Sequence, residues 1–151
     1  MERNRKRGWK KLIFQRVLPL SEITIEVRII RLGEDFQIIV QGGMYSHIGC
    51  TVLAVPRESL SKTGNMSCTS SVINVIGHKD EEICRYLAEK VASNLGKVTV
   101  CTGGIHIDGI VPEQISEIRN AVMEIGEEMV KQVIACDNIS IKQQRMRYLV
   151  I

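Results

Sequence analysis

The first half of the chain alternates apolar and polar residues with the period of a β-strand. Residues 22–31 (EITIEVRIIR) place four branched apolar side chains on one face, and residues 36–41 (FQIIVQ) resume the alternation after a Gly-Glu-Asp turn. This spacing predicts a hairpin of two half-buried strands. A third strand is predicted over residues 50–57 (CTVLAVPR), where Pro56 either ends the strand or places it at a sheet edge.

The second half of the chain alternates strands with helices. Residues 70–76 (SSVINVI) and 97–102 (KVTVCT) predict strands, and the apolar spacing from about residue 79 to 95 predicts a helix between them. A second helix begins at Pro112, since proline suits the first turn. The predicted core stripes are Ile83, Leu87, Val91 and Leu95 in the first helix, and Ile115, Ile118, Val122, Ile125, Met129 and Val133 in the second.

Two segments lack a clear period. Residues 57–69 (RESLSKTGNMSCT) are rich in Ser, Thr and Gly, which predicts a long and mobile loop. Residues 139–151 (ISIKQQRMRYLVI) predict an edge strand or an oligomer contact.

These elements predict a mixed α/β (α+β) fold with a single mixed β-sheet and two main helices packed on it. The unit from residue 70 to 102 predicts a right-handed parallel crossover. A chain of 151 residues is expected to form one domain. We therefore assign residues 1–20 to a basic N-terminal tail and residues 21–151 to a single α/β domain.

Positive charge is concentrated at the N-terminus. Residues 1–16 hold seven basic side chains and one acidic one, a net charge of +6 against +3 for the whole chain. Such a run is typical of a solvated tail, although it could also touch nucleic acid or a membrane surface. Apolar residues in its second half indicate that this half docks on another surface. They are Trp9, Leu12, Ile13, Phe14 and Val17.

Composition excludes several classes of protein. Aromatic residues make up 4% of the chain, which argues against nucleic-acid binding through base-stacking platforms. The five cysteines are widely spaced with no CxxC pair, unlike a disulfide framework or a zinc ribbon. With no signal-peptide pattern and no apolar run long enough to cross a bilayer, we expect a cytoplasmic protein that does not span a membrane.

Candidate chemistry lies in the turns after two predicted strands, where ligands of α/β proteins gather. GHKD follows the strand at 70–76, and TGGIHIDGI follows the strand at 97–102. If these strands are parallel neighbours, His78 and His106 face one cleft. The glycines that would let a ligand approach the backbone there are Gly77, Gly103 and Gly104.

A phosphate-bearing ligand suits this cleft best, because helix-start amides and nearby hydroxyl and basic side chains bind anions. The residues proposed for that role are Arg57, Thr69, Ser70, Ser71 and Lys79.

Two catalytic alternatives and a structural one remain open. A small metal-dependent enzyme would take ligands from His78, His106, Asp80, Asp108, Cys84 and Cys101, although no metal-binding spacing connects them. A nucleophilic enzyme would use a Ser or Cys beside a histidine, although no GxSxG turn frames one. Its candidates are Ser70, Ser71 and Cys101. In the structural alternative, Asp80 caps its helix or matches its charge to the helix start, and Cys84 and Cys101 are small core residues.

Four segments together resemble a known family. GGMYSHIGCTVLAVPRESL, TSSVINVIGHKDEEICRYLAEKVA, VTVCTGGIHIDGI and PEQISEI are similar to the prenylated-flavin chaperone LpdD-like domain, over about residues 22–135. Members resemble the small accessory subunit of UbiD-type gallate and hydroxyarylic-acid decarboxylases. The family's fold is similar to that of proteasome-assembly chaperones, which implies an α/β chaperone-like domain that can self-associate.

The resemblance implies a non-catalytic binding protein. It would hold prenylated FMN, or FMN, and deliver or mature the cofactor for a UbiD-type decarboxylase. The positions that match the family and would bind the cofactor are Tyr45, Ser70, Ser71, Asn74, His78, Lys79, Asp80, Gly103, Gly104 and His106. An apolar slot for the flavin ring would come from Met44, Tyr45, Met66, Ile105 and Ile107, with the 57–69 loop closing over it.

Overall fold

The structure of the protein, a computed structural model, describes residues 9–61, 66–75 and 80–148, with side chains up to residue 138. Six strands and two helices follow one another along these ranges. They are β1 (Lys11–Leu18), β2 (Ile23–Leu32), β3 (Asp35–Gly43), β4 (Cys50–Glu58), β5 (Met66–Asn74), α1 (Glu81–Leu95), β6 (Thr99–His106) and α2 (Pro112–Tyr148).

The strands form one mixed sheet in the order β1-β2-β3-β6-β4-β5. β3 and β6 run parallel, and the other neighbouring pairs run antiparallel. The predicted hairpin is confirmed as β2 and β3, and the fold class is confirmed as a mixed α/β sheet with two helices. Pro56 lies in β4 beyond the stretch that pairs with β6, so its missing N–H costs no hydrogen bond on that side.

Both helices cover the same face of the sheet. One row of side chains on that face runs from Phe14 through Val27 and Val40 to Cys50, and all four are buried. α1 packs on β4, β5 and β6, and α2 packs against α1 and β1. No described element covers the opposite face, so alternation along each strand gives a buried row and a solvent-facing row.

The two strands of the predicted crossover are parallel but not adjacent. β4 lies between β5 and β6 and pairs antiparallel with both. The prediction that these strands could be direct neighbours is therefore wrong. Their carboxyl ends still lie at one edge of the sheet, because Cys50 of β4 pairs with Asn74 on one side and Gly103 on the other.

Both ends of the predicted loop over residues 57–69 belong to strands, and residues 62–65 between them lie outside the described residues. β4 continues to Glu58 and β5 begins at Met66, and these two residues pair with each other. The run of short polar residues hid this pairing, because one face of β5 is open to solvent and needs no apolar side chains. Glu58 and Met66 lie at the end of the sheet opposite the carboxyl end of β6. Closure of the loop over the ring slot stays a prediction, because it involves residues outside the described ones.

The C-terminal segment is helical rather than an edge strand. α2 extends from Pro112 to Tyr148, beyond the point where the predicted helical stripe ends. Ile118, Val122, Ile125, Met129 and Val133 are buried as predicted. Ile115 is the exception in that stripe, with 41% of its surface exposed.

The apolar half of the N-terminal segment forms β1 and pairs with β2 along its whole length. Phe14 and Leu18 are buried in the core, so this half docks on the rest of the fold as predicted, although Ile13 and Val17 face solvent. Trp9 packs on Phe36 with the rings 5.9 Å apart, and its indole N–H donates to Asp137 of α2. The predicted boundary at residue 20 lies in the turn between β1 and β2.

Candidate functional site

The candidate site lies at the sheet edge where β3, β5 and β6 end and β4 begins. Gly43 pairs with His106, so the last residues of β3 and β6 are side by side. The segment from residue 44 to 49, which joins β3 to β4, crosses this edge. Backbone hydrogen bonds hold it there, since the Met44 N–H donates to the His106 carbonyl and the Gly49 N–H donates to the Gly103 carbonyl.

Asp80 joins three parts of the site. It is a buried carboxylate, with 7% of its surface exposed, directly before the first turn of α1. One carboxylate oxygen accepts the Ile105 backbone N–H at 2.9 Å, and the other lies 3.1 Å from Nε2 of His47. Asp80 stands at the N-cap position of α1, but its side chain makes no capping hydrogen bond there. A side-chain cap is therefore wrong, and matching of its charge to the helix start stays a prediction.

His47 is the site residue that the sequence reasoning missed. It lies in the segment between β3 and β4, and its ring meets that of His106 edge to face at 6.0 Å. His106 in turn bonds to Asp108 at 2.7 Å and packs against the Tyr45 ring at 5.5 Å. The signal was present in the sequence, because the histidine of YSHIG stands directly before a strand that begins at this edge.

Two glycines are required here for different reasons. Gly103 has φ +143°, and a side chain on it would meet the Val40 carbonyl oxygen at 1.8 Å. Gly104 has no such backbone restriction, but a Cβ there would meet His47 Nε2 at 2.6 Å and the Asp80 carboxylate at 2.7 Å. Gly103 therefore permits close approach of β3 and β6, and Gly104 leaves room for the His47–Asp80 pair.

A pocket of about 580 Å³ opens beside Asp80 and His106, between the two helices and the end of β6. Its polar and charged lining includes Asp80, Glu82, His106 and Arg119. Branched aliphatic side chains from β6, α2 and the segment between them form much of the rest. They are Ile105, Ile107, Ile110, Ile115, Ile118 and Val122. This volume and this largely apolar lining are typical of a small-molecule site.

The structure brings together only part of the predicted set. Tyr45, Asp80, Gly103, Gly104 and His106 converge at the sheet edge. Asn74 ends β5 at the same edge, where its amide donates to Glu81. His78 and Lys79 lie outside the described residues, so the predicted approach of His78 to His106 stays a prediction.

The predicted phosphate-binding residues that the structure describes, all of them except Lys79, lie away from this pocket. Arg57 is near the far end of β4, where it donates to Thr69. Ser70 donates to Glu89 and accepts from Arg85, on the part of β5 that faces α1. Ser71 is exposed on the opposite face of the sheet from Ser70.

The predicted ring slot is also divided. Ile105 and Ile107 line the pocket, and Met44 accepts from the Asp108 N–H beside it. Met66 lies near Gly96 at the other end of α1, so it cannot contribute to the same slot.

The buried cysteines are core residues rather than reactive groups. Cys84 and Cys101 are fully buried, as the structural alternative predicted, and Cys50 is buried beside Cys84. Hydrogen bonding to Cys101, followed by burial, raises the pKa of the Cys84 thiol, and burial raises that of Cys50. Thiols held protonated inside a core are poor nucleophiles. Among the described side chains, no three His, Cys, Asp or Glu residues are grouped to hold a metal ion.

The sequence matches a known protein family over most of its length. The family described as the prenylated flavin chaperone LpdD-like domain matches residues 20–134. The chain belongs to this family. The match covers β2 to β6, α1 and the buried half of α2, and therefore every residue that surrounds the pocket of this LpdD-like domain.

The chain is also similar to a solved structure. A chain from a chaperone complex for yeast 20S proteasome assembly is 14% identical, with a TM-score of 0.45, over 84% of this chain and 98% of that one. No curated protein matches the sequence. Across the described residues, no helix combines the length and the apolar character that crossing a membrane requires.

Proposed function

We propose that this LpdD-like domain binds prenylated FMN, or FMN, in the pocket between α1, α2 and the end of β6. In this proposal the protein is not itself a decarboxylase. It holds the cofactor and delivers it to, or matures it for, a UbiD-type decarboxylase in the cytoplasm. The observation that carries the proposal is a largely apolar pocket of about 580 Å³ in a chain of the flavin-chaperone family.

The chemistry of the pocket suits a flavin. An isoalloxazine ring is flat and largely apolar, with hydrogen-bonding groups on one edge, and aliphatic side chains such as Ile105, Ile118 and Val122 would pack on its faces. His106 lines the pocket and Tyr45 packs against its ring, so both can hydrogen-bond or stack against an edge of a bound flavin ring. Asp80 and His47 hold the rim in shape, which limits the reorganisation that binding costs.

A binding experiment with matched variants tests the location of the site. The protein is co-produced anaerobically with a flavin prenyltransferase, and bound flavin is measured by absorbance and mass spectrometry. Ile115→Trp is expected to fill the pocket and abolish binding. Ile134→Trp is the control, since Ile134 lies on the same helix with 43% exposure against 41% for Ile115 but outside the pocket.

The outcomes separate clearly. A wild-type protein that stays colourless and flavin-free at saturating ligand contradicts the proposed function. Flavin that binds equally to wild type, Ile115→Trp and Ile134→Trp places the ligand elsewhere on the molecule. Thermal melts of all three proteins confirm that each is folded.

Delivery requires a second measurement. Loaded protein is mixed with an apo UbiD-type decarboxylase, and the recovery of decarboxylation is compared with that from an equal amount of free cofactor. Faster or more complete activation by the loaded protein is expected. Activation that is no better than with free cofactor would argue for storage without delivery.

A further inference from the structure

The charged lining of the pocket is unevenly distributed. Asp80 and His106 stand at the sheet edge, and Glu82 and Arg119 belong to the two helices. Arg119 is the one Arg or Lys among the described residues that line the pocket. Among the described lining residues, a ligand with a phosphate group would therefore meet one fixed positive charge, that of Arg119.

Arg119 is held by one carboxylate across the two helices. Its Nε lies 2.7 Å from one oxygen of Glu82, and its Nη2 lies 3.1 Å from the other. This is the bidentate geometry that a guanidinium also uses with phosphate. Glu82 is in the first turn of α1 and Arg119 in the first half of α2, so the pair links the helices beside the pocket.

The pair is positioned to exchange partners. Its side chains are 48% exposed for Arg119 and 64% exposed for Glu82, and ion pairs this open to water contribute little to stability. A phosphomonoester carries a charge of about −1.5 to −2 and three acceptor oxygens, so it competes well with a single carboxylate for the same guanidinium. Glu82 would then rotate into solvent.

We propose that Arg119 is the phosphate-binding residue of this pocket and that Glu82 holds it in place until the ligand arrives. The inference rests on the proposed flavin site and adds to it a basis for preferring FMN-type ligands over riboflavin. The ring occupies the aliphatic part of the pocket, and the phosphate replaces the Glu82 carboxylate on Arg119.

The test compares FMN with riboflavin, which lacks the phosphate, by fluorescence titration in phosphate-free buffer. Arg119→Gln is expected to weaken FMN binding about tenfold, which is typical for the loss of a charged hydrogen bond, and to leave the riboflavin affinity within about twofold. Glu82→Gln is expected to strengthen FMN binding about threefold, because the competing charge is removed. The ratio of the two affinities is the readout.

Lys90 and Glu127 provide the matched control. They form another ion pair between α1 and α2, at 2.5 Å, and neither lines the pocket. Lys90→Gln and Glu127→Gln are expected to leave the FMN-to-riboflavin ratio unchanged. An Arg119→Gln protein with the wild-type ratio would overturn this inference alone, whereas a wild type that binds neither flavin would overturn the proposed function as well.

Discussion

Asp80 determines the shape of the site at the scale of single residues. Its carboxylate reaches across the sheet edge to β6 and to the segment before β4, which places the start of α1 against both. A buried carboxylate is costly unless hydrogen bonds satisfy it, and here the backbone of Ile105 and the ring of His47 supply them.

We expect Asp80→Ala to lower the free energy of unfolding by about 1–3 kcal/mol, because the partly buried Ile105 N–H loses its acceptor. Urea denaturation measures the change. Asp108→Ala is the control, since Asp108 also bonds to a histidine but its side chain is 64% exposed. An equal drop in the free energy of unfolding in the two variants would contradict a stabilising role for the burial of Asp80.

We expect Gly103→Ala to destabilise the protein more than Gly104→Ala does. The added Cβ at Gly103 would meet a backbone oxygen of β3, which cannot move without breaking the sheet, and its φ of +143° strains any other residue. At Gly104 the added atom meets side chains, which can shift. Urea denaturation of both variants tests this order, and the reverse order would contradict it.

At the scale of elements, β1 is bound to the rest of the fold by side chains as well as by its ladder. Arg31 lies over the Trp9 ring at 4.7 Å and also reaches Asp137 at 2.5 Å. Trp9, Arg31, Phe36 and Asp137 therefore connect the residues before β1 with β2, β3 and α2. The basic residues of positions 3–7 lie outside the described residues, so the role of the tail stays a prediction.

Trp9→Ala is expected to cost about 1–2 kcal/mol of stability, through lost stacking on Phe36 and lost cation–π contact with Arg31. Trp9→Phe should cost less, because it keeps an aromatic ring and loses only the hydrogen bond to Asp137. Thermal melts followed by circular dichroism compare them, since Trp9 is the single tryptophan and its fluorescence is lost in both variants. A larger loss for Trp9→Phe would contradict this account.

At the scale of the whole molecule, the face of the sheet opposite the helices is open and carries both apolar and charged groups. Its exposed apolar residues include Val17 and Ile73, and the Glu26 carboxylate on the same face accepts hydrogen bonds from three side chains. Hydrogen bonds from Gln15, Arg28 and Gln41 lower the pKa of Glu26 to about 2. Whether this face supports the self-association that the family resemblance implies stays a prediction.

Because its pKa is lowered, Glu26 makes the free energy of unfolding depend on pH. Its contribution is fully present above the unfolded-state pKa of about 4.3 and is lost as the pH falls toward 2. We expect Glu26→Gln to lower the free energy of unfolding at pH 7. The difference between the free energies of unfolding at pH 7 and pH 3, measured by urea denaturation, should be smaller in this variant than in the wild type. Glu124→Gln, on the exposed surface of α2, controls for removal of one charge. An unchanged difference in Glu26→Gln would contradict this.

The burial of three thiols in one core is also a property of the folded molecule as a whole. Cys50, Cys84 and Cys101 are buried, and Cys68 and Cys136 are half-buried. A thiol reagent is therefore expected to label at most Cys68 and Cys136 in the native protein and all five cysteines in denaturant. Rapid native labelling of the three buried thiols would show that the core opens readily.

Local sequence pattern predicted most of the elements, although not β1, and much of the buried face. Alternation defined β2 and β3, and four-residue spacing placed Leu87 and Val91 in the core, because these periods follow from the local geometry of strands and helices. Local pattern failed where a strand faces solvent, as in β5, and where a helix continues without an apolar stripe, as in the last part of α2.

Which side chains meet in the site depends on the tertiary fold. The insertion of β4 between β5 and β6 depends on long-range pairing, which no local period records. That insertion carries the residues before β4 across the carboxyl end of β6, so His47 reaches Asp80, which is 33 positions away in the sequence. Arg57 belongs to the same strand as Cys50 but lies at the opposite end of it, away from the site. The GHKD and TGGIHIDGI turns predicted a cleft, and the packing of α1 against α2 determines where the pocket lies.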